Sequence, residues 1–502
     1  MRPLFLEAIA QWPADRVALQ TDSGAFSYGY LRKAAQCVAD ALRDALSSDV
    51  GARILMPAWP DWQYVATLWG VWQGGGVAVP FSLGATAEEL SYLITDSEAT
   101  ALVCPAVLAP MLRPLCVAMG IGFWEVETVV ATQPAPTEWP AIQPAARALM
   151  IYTSGTTGKP KGAVHTHGSL AAQIQTLVTA WQWQATDKTL LTLPLHHIHG
   201  LVNILGCGLW AGATVVILPK FDAGKVWEIF AQSDFTVFMA VPTIYSLLVE
   251  AYRAASPAQQ AGYTQACQAM RLMVSGSAAL PVTLLNAWQE ISGHFLLERY
   301  GMTEIGMAIS NPMEGFRKAG SVGKPLPGVS IRLVDEAGQV IAQAHEAGEI
   351  QVKSPCMFLE YWRKPDITKA SFSAEGWFKT GDIAEQDEEG YYKILGRNST
   401  DIIKSGGYKL SALEIEGVFL QHPEVAACAV VGLPDERWGE VVAMAVVMQA
   451  AASSAAPDLL HWGKAYLASY KIPKQVIVVA ELPKNAMGKV VKNEVKQWFA
   501  KE

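Results

Sequence analysis

Between Tyr152 and Gly162 the chain reads Tyr-Thr-Ser-Gly-Thr-Thr-Gly-Lys-Pro-Lys-Gly, concentrating hydroxyls, glycines and ammonium groups. Glycines let backbone N–H groups turn toward an anion, hydroxyls add donors, and lysines add charge. The segment follows the apolar run Ala148–Ile151, so it reads as a strand leading into a polyphosphate cradle. A flexible polar loop would share this composition, but nothing would place it directly after a buried strand. A P-loop of the Walker type needs wider glycine spacing and a Lys-Ser/Thr pair opening a helix. Here Gly155 and Gly158 lie too close together, and Pro160 follows Lys159.

Further along come Tyr300-Gly301-Met302-Thr303-Glu304, Thr380-Gly381-Asp382, Gly396-Arg397, Ser405-Gly406-Gly407-Tyr408 and Pro483-Lys-Asn-Ala-Met-Gly-Lys489. Each alone is weak. Gly-Asp is a common turn, and a lysine after a glycine is usually a solvated surface group. In this order behind the phosphate loop, they resemble the acyl-adenylate-forming superfamily of acyl-CoA synthetases, luciferases and peptide-synthetase adenylation domains. The resemblance spans nearly the whole chain.

It implies two half-reactions. A carboxylate attacks the α-phosphate of ATP, giving an acyl-AMP and pyrophosphate; a thiol, usually of CoA, then displaces AMP. Catalysis of the first step would be positioning and electrostatic stabilisation. The resemblance further implies roles. Thr153, Ser154, Gly155, Thr156, Thr157, Gly158 and Lys159 would hold the phosphates, and Glu304 would bind Mg²⁺, which prefers oxygen ligands. Thr303 would touch the α-phosphate and Tyr300 would pack on adenine, with Ser277, Ala278, Gly301 and Met302 completing the nucleotide site. Asp382 would accept the ribose hydroxyls beside Arg397. Lys489 would neutralise charge developing between the acid and the α-phosphate. Ser405, Gly406, Gly407 and Tyr408 would line the CoA channel. The hinge position, commonly Asp or Lys, is matched by Thr400, one residue farther from Arg397 than usual.

Three histidines stand in Pro194-Leu-His-His-Ile-His-Gly200. Their density suggests zinc, but no cysteine or carboxylate lies close in sequence to complete a site. The family places an aromatic residue or His here, at the acyl pocket, and His197 is the match. The segments Leu296–Glu304 and Val274–Leu280, with this histidine element, are similar to malonyl-CoA and methylmalonyl-CoA synthetases. That likeness adds Arg299 and Ser275 to the acid pocket. An uncompensated buried guanidinium is costly and wants an anion. A dicarboxylic acid offers a second carboxylate in bidentate geometry; an internal pair with Glu298 or another acid is the alternative. The implied activity is ATP-dependent ligation of malonate, or methylmalonate, to CoA. A short- or medium-chain monocarboxylate ligase, an enzyme loading a carrier protein, and a noncatalytic nucleotide binder are the rivals. Lys489, Glu304 and the complete loop argue against the last.

The elements that must position these residues are α/β throughout. Helical stretches at Ser27–Ala45 and Lys225–Gln232 alternate with β-branched runs at Thr214–Leu218, Thr236–Ala240 and Arg271–Val274, which predicts largely parallel, helix-covered sheets. The charge-free stretch Thr189–Pro219 reads as a buried helix and then a strand. Short β segments at Ile331–Val334, Glu349–Val352 and Tyr391–Leu395 suggest a small β subdomain. Beyond it comes an α+β pattern: helices at Ser411–Leu420 and Leu459–Ser469, strands at Ala426–Val431, Val441–Met448 and Gln475–Val479, and a surface loop at Ala450–Pro457. The predicted architecture is a large N-terminal domain (1–396), a hinge (397–401) and a mobile small C-terminal domain (402–502) carrying the lysine.

The chain has 502 residues, half of them apolar, a net charge of −8 and a pI near 5.7. That is a folded composition and a poor one for binding nucleic acid or anionic membranes. Seven cysteines form no CxxC pair, which suggests reduced thiols. The N-terminus, with Glu7 and Asp15, has no leader-like apolar run, and no integral membrane span is expected. The expected setting is cytoplasmic. The expected partners are a small carboxylic acid, ATP, Mg²⁺ and CoA; the sequence leaves oligomeric state open.

Overall fold

A computed structural model describes residues 3–46, 51–134, 139, 141–153, 159–232, 234–406, 408–449, 456–484 and 489–499. Two large sheets dominate the first 361 residues. One runs Lys324–Pro325, Gly306–Ser310, Leu297–Met302, Leu272–Ser275, Val237–Ala240, Lys188–Leu191, Thr214–Ile217, Val17–Thr21 and Gly24–Ser27. Its interior pairs are parallel and its edges antiparallel. The other runs Glu360–Tyr361, Lys161–Thr166, Arg147–Thr153, Val77–Phe81, Arg53–Pro57, Ala101–Cys104 and Gly122–Glu125, again with parallel interior pairs. Parallel strands need crossover connections, and the amphipathic helices supply them while covering both faces.

The helix Trp62–Gln73 is buried almost all round and starts at Asp61, whose Oδ1 accepts from the Trp62 N–H at 2.7 Å. The helix expected from Ser27 uses Ser27 itself as its cap and ends at Ala41, short of Ala45. Within 189–219 the chain forms a π-helix, His199–Gly206, then an α-helical turn and the strand Thr214–Ile217. The π-helix is buried along its whole length, and such i→i+5 stretches occur frequently at functional sites.

A small antiparallel sheet follows: Ser330–Val334, Gly348–Lys353, Phe378–Gln386 and Tyr392–Arg397. Period-two alternation puts Asp382 on the same buried face as Phe378, Thr380 and Ala384. Beyond Arg397 a separate sheet forms from Ile402–Ser405, Tyr408–Ser411, Val425–Asp435 and Gly439–Met448, with Gln475–Val478 added in parallel. Both faces of the Val425–Asp435 strand are covered: Cys428 and Val430 belong to one buried cluster, Ala429 and Val431 to another. Neither cluster shares residues with the large core, whose last member is Tyr392.

Two local expectations are corrected. The helix expected over Leu459–Ser469 spans Ala456–Gly463, and a short 3₁₀ turn occupies Ser469–Lys471. It stops where a side chain on Gly463 would lie 2.7 Å from the Phe419 ring. Ala456 and Pro457, expected in the loop, open that helix instead, where proline is tolerated; the rest of that loop lies outside the described residues. No helix among the described residues is long and apolar enough to cross a membrane.

Candidate active site

The strands Leu272–Ser275 and Leu297–Met302 are parallel neighbours, pairing Val274 with Leu297 and Ser275 with Glu298. Their carboxyl ends deliver Ser275 to Ala278 and Arg299 to Glu304 to one edge of the sheet, the position at which open α/β sheets bind ligands. Adjacent residues on a strand face opposite ways. Glu298 therefore turns away from Arg299. Its Oε1 accepts from the Leu280 N–H at 3.3 Å, and burial pushes its pKa up to about 8. No ion pair joins it to Arg299, so the internal pairing considered from sequence is absent.

Arg299 is only 3% exposed, and burial lowers its pKa to about 10. Nη2 reaches Ser277 Oγ at a long 3.5 Å, and Nε is buried with no partner among the described residues. A side chain on Gly276 would place its Cβ 2.6 Å from the guanidinium carbon, so glycine makes the space Arg299 occupies. Ser277 sits at φ 71°, a region non-glycine residues avoid, which is backbone strain of the kind found at functional sites. Its Oγ also contacts His199 Nδ1 at 3.2 Å. Burial, assisted by the Arg299 cation, holds His199 neutral.

The histidine run does not converge on one point. His199 turns to Ser277, whereas the His196 and His197 rings contact each other at 4.1 Å between centroids. Burial, with His196 and Lys489 assisting, lowers the His197 pKa to about 3. His199 Nε2, Ser275 Oγ and Asn203 Nδ2 are buried without protein partners among the described residues. Folded proteins rarely leave such groups unsatisfied, so each marks a place for water or a polar ligand.

On the nucleotide side, Asp382 and Arg397 are cross-strand partners. Arg397 Nε donates to Asp382 Oδ1 at 2.9 Å, and Tyr300 Oη donates to Oδ2 at 2.6 Å. Glu304 is buried, with Oε1 accepting from Tyr361 Oη at 2.8 Å. That contact leaves Oε2 able to face a cation. One buried carboxylate suits Mg²⁺ whose other ligands are phosphate and water oxygens. The Thr303 carbonyl contacts His165 Nε2 at 2.8 Å, which holds the backbone of the turn. Gly301 packs so closely that a Cβ would lie 2.2 Å from the Gly306 carbonyl oxygen.

Thr153 ends its strand opposite Lys161. Ser154, Gly155, Thr156, Thr157 and Gly158 lie outside the described residues. The two ends of the phosphate loop are tied to Asp96, a residue the sequence did not single out. Tyr152 Oη donates to Asp96 Oδ2 at 2.8 Å, and Lys364 Nζ lies 2.9 Å from Oδ1. Tyr92, hydrogen-bonded to Asp96, also contacts the Pro160 carbonyl at 2.7 Å, and the Lys159 ammonium sits over its ring. Asp96 stands 56 positions from Tyr152, with no local pattern to reveal it.

Lys489 reaches the same region from the small C-terminal unit. Desolvation and then the Arg397 cation lower its pKa, with Asp382 opposing and Arg299 adding to the depression. One region thus holds Arg299, His197, Asp382, Arg397 and Lys489 within reach of each other's charges. The Ser405–Tyr408 hairpin instead finds its partners within its own unit. The Gly406 N–H donates to the Trp438 carbonyl at 2.8 Å, and the exposed Tyr408 ring stacks on Tyr470. Gly407 lies outside the described residues.

Residues 5–362 match the family described as AMP-binding enzyme, and residues 414–489 match the AMP-binding enzyme C-terminal domain. The chain is 43% identical to the mitochondrial malonate–CoA ligase of Mus musculus, over 98% of this chain and 90% of that protein. It is 41% identical to the malonate–CoA ligase of Arabidopsis thaliana, over 96% and 86%. The structure of ATP-bound MatB from Rhodopseudomonas palustris superposes with a TM-score of 0.91 at 34% identity, covering 99% of each chain.

Proposed function

The chain belongs to the AMP-binding enzyme family, and from that premise we propose that it is an AMP-forming acid–CoA ligase whose acid is malonate. The observation that carries the choice of acid is Arg299: a buried guanidinium at the strand-end site with no carboxylate beside it among the described residues. The second carboxylate of malonate would supply the missing charge in bidentate form. Buried without it, the cation is disfavoured. A monocarboxylate would leave it unpaired.

In the first half-reaction a carboxylate oxygen of the acid bonds to the α-phosphorus of ATP, and the bond from that phosphorus to the bridging oxygen breaks, releasing pyrophosphate. Lys489 would place its ammonium against the charge shared by these oxygens. Asp382, braced by Arg397 and Tyr300, would accept the ribose hydroxyls. Lys159, with the loop before it, would hold the outer phosphates. Thr303 would contact the α-phosphate, while Tyr300 and the backbone from Ser277 to Ala278 would border adenine. Glu304 would hold Mg²⁺, which offsets phosphate charge when bound. His197, kept neutral, would shape the acyl pocket without adding charge, and Ser275 and Ser277 would offer hydroxyls there. In the second half-reaction the CoA sulfur bonds to the acyl carbonyl carbon, AMP leaves with the shared oxygen, and the thiol proton passes to solvent. The small unit would turn between the steps about residues 398–400, withdrawing Lys489 and presenting Ser405 to Tyr408.

AMP release from ATP, measured with malonate, methylmalonate, succinate, acetate and butyrate, with and without CoA, tests this reading. Malonate should be preferred and CoA should be required for the thioester. Preference for butyrate or acetate would refute it. Chelation should abolish activity, and Glu304→Gln should raise the Mg²⁺ concentration needed. The seven cysteines are buried and outside any disulfide, which agrees with a reducing compartment; the cytoplasm is the site proposed, to be tested by fractionation.

A further inference from the structure

Lys492 opens the last helix, Lys492–Phe499, three residues beyond Lys489. Its side chain is 11% exposed, and its buried ammonium lies between two carboxylates, 2.7 Å from Asp401 Oδ1 and 2.8 Å from Glu416 Oε1. Glu416 is fixed in turn, since its Oε1 also accepts from the Val430 N–H at 2.7 Å. Both Glu416 and Lys492 belong to the small unit. Asp401 is different, because its other oxygen faces the large one. Oδ2 accepts from the backbone N–H of Arg397 at 3.0 Å. Arg397 ends the small antiparallel sheet and braces Asp382. One carboxylate thus spans the segment 398–400, with an oxygen on each side.

The surroundings fit this span. Gly396 has φ 131°, and a Cβ there would lie 2.4 Å from Asp401 Cβ, so glycine permits the carboxylate to come so close to the strand. A second bridge runs parallel: Ser411 Oγ, which caps the helix Ala412–Phe419, donates to the Leu395 carbonyl. Residues 398–400 line an open surface groove, and Asn398 and Ser399 are exposed. Asp401 is held from both sides.

We propose that Asp401 is a positioning residue, a clasp that holds the small unit in the orientation that brings Lys489 to the nucleotide. In this orientation Oδ1 ties the lysine-bearing helix and Oδ2 ties the strand of Arg397. Turning to the thioester-forming orientation breaks the Oδ2 contact and leaves the Lys492–Glu416–Asp401 cluster intact, so Asp401 moves with the small unit and the pivot lies before it. The proposal rests on the two-orientation reading of the reaction given above.

Asp401→Asn tests it, because an amide offers one acceptor oxygen where the clasp needs two. Malonate-dependent ATP–pyrophosphate exchange should fall at least tenfold in kcat, with KM for ATP within about twofold of wild type. Thioester formation from supplied malonyl-AMP and CoA should stay within about threefold. Hydrogen exchange in a peptide spanning 395–403 should quicken without added substrate, a readout that does not depend on activity. Parallel loss in both half-reactions, or no change in either, would overturn the clasp, as would unaltered exchange in that peptide. Asp401→Glu, which keeps both oxygens, should recover part of the exchange reaction; no recovery counts against it. Should wild-type protein show no pyrophosphate exchange with any acid, the assigned activity fails, and the hydrogen-exchange arm still decides the clasp.

Discussion

On the proposed reading Arg299 and Lys489 would carry opposite kinds of specificity: one would select the acid, the other the chemical step. Removing one partner of a buried charge pair costs roughly 3–5 kcal/mol, about two to four powers of ten in rate constant. Arg299→Leu should therefore lower kcat/KM for malonate at least a hundredfold, while butyrate is unaffected or improves once the unpaired cation is gone. Arg299→Lys should recover only part, because a point charge does not reproduce the two-pronged contact. Equal losses on both acids would leave the arginine a merely structural role. Lys489→Ala should abolish acyl-AMP formation and spare thioester formation from supplied acyl-AMP. Single-turnover measurement of each half-reaction separates the two, and equal loss in both would contradict the assignment.

Among elements, the strand ends matter most. Gly276 leaves a gap on Leu272–Ser275's exit that the guanidinium of the neighbouring strand fills. Gly276→Ala would push its Cβ into the far end of a long side chain rather than into backbone. The fold should absorb this, with the melting temperature little changed. The guanidinium should shift, with malonate kcat/KM falling tenfold or more and butyrate turnover retained. A large drop in melting temperature would show that the gap serves packing instead. The π-helix has a related role: its buried turn carries His199 to Ser277 and Asn203 to Gln173.

At the scale of the molecule, buried titratable groups set the pH dependence of stability. Burial holds His165, His167 and His196 near pKa 4 and His197 near 3, below the ordinary 6.5. The unfolded chain takes up these protons first as pH falls, so stability is full above about pH 6.5 and declines toward pH 4. Glu298 acts in the other direction. Its folded pKa near 8 lies above the ordinary 4.5, so its contribution is lost as pH rises from there through 8. Thermal melting against pH should show a maximum between these limits. Glu298→Gln should flatten the alkaline side and steepen the rise between about pH 4.5 and 6.5, where Glu298 opposes the histidines. A wild-type curve still rising through pH 8, or a mutant that keeps the decline, would remove Glu298 from this account.

Local order alone determined the alternation of helix and strand and the separate character of the last hundred residues, and it carries the proposal of a polyphosphate cradle at 152–162, because periodicity, glycine spacing and hydroxyl content are properties of neighbours along the chain. Glu298 and Arg299 show where that ends. Their adjacency permitted an ion pair, and only pleating into a sheet turned them to opposite faces. Asp96, Tyr361 and His165 carried no signal, since each acts on a residue more than fifty positions away. Asp401 was only the last residue of the expected hinge until folding set Lys492 on one of its oxygens and the Arg397 N–H on the other. Burial keeps His165, His167, His196, His197 and His199 neutral, because desolvation depends on what packs around a group in three dimensions and no pattern along the chain records it.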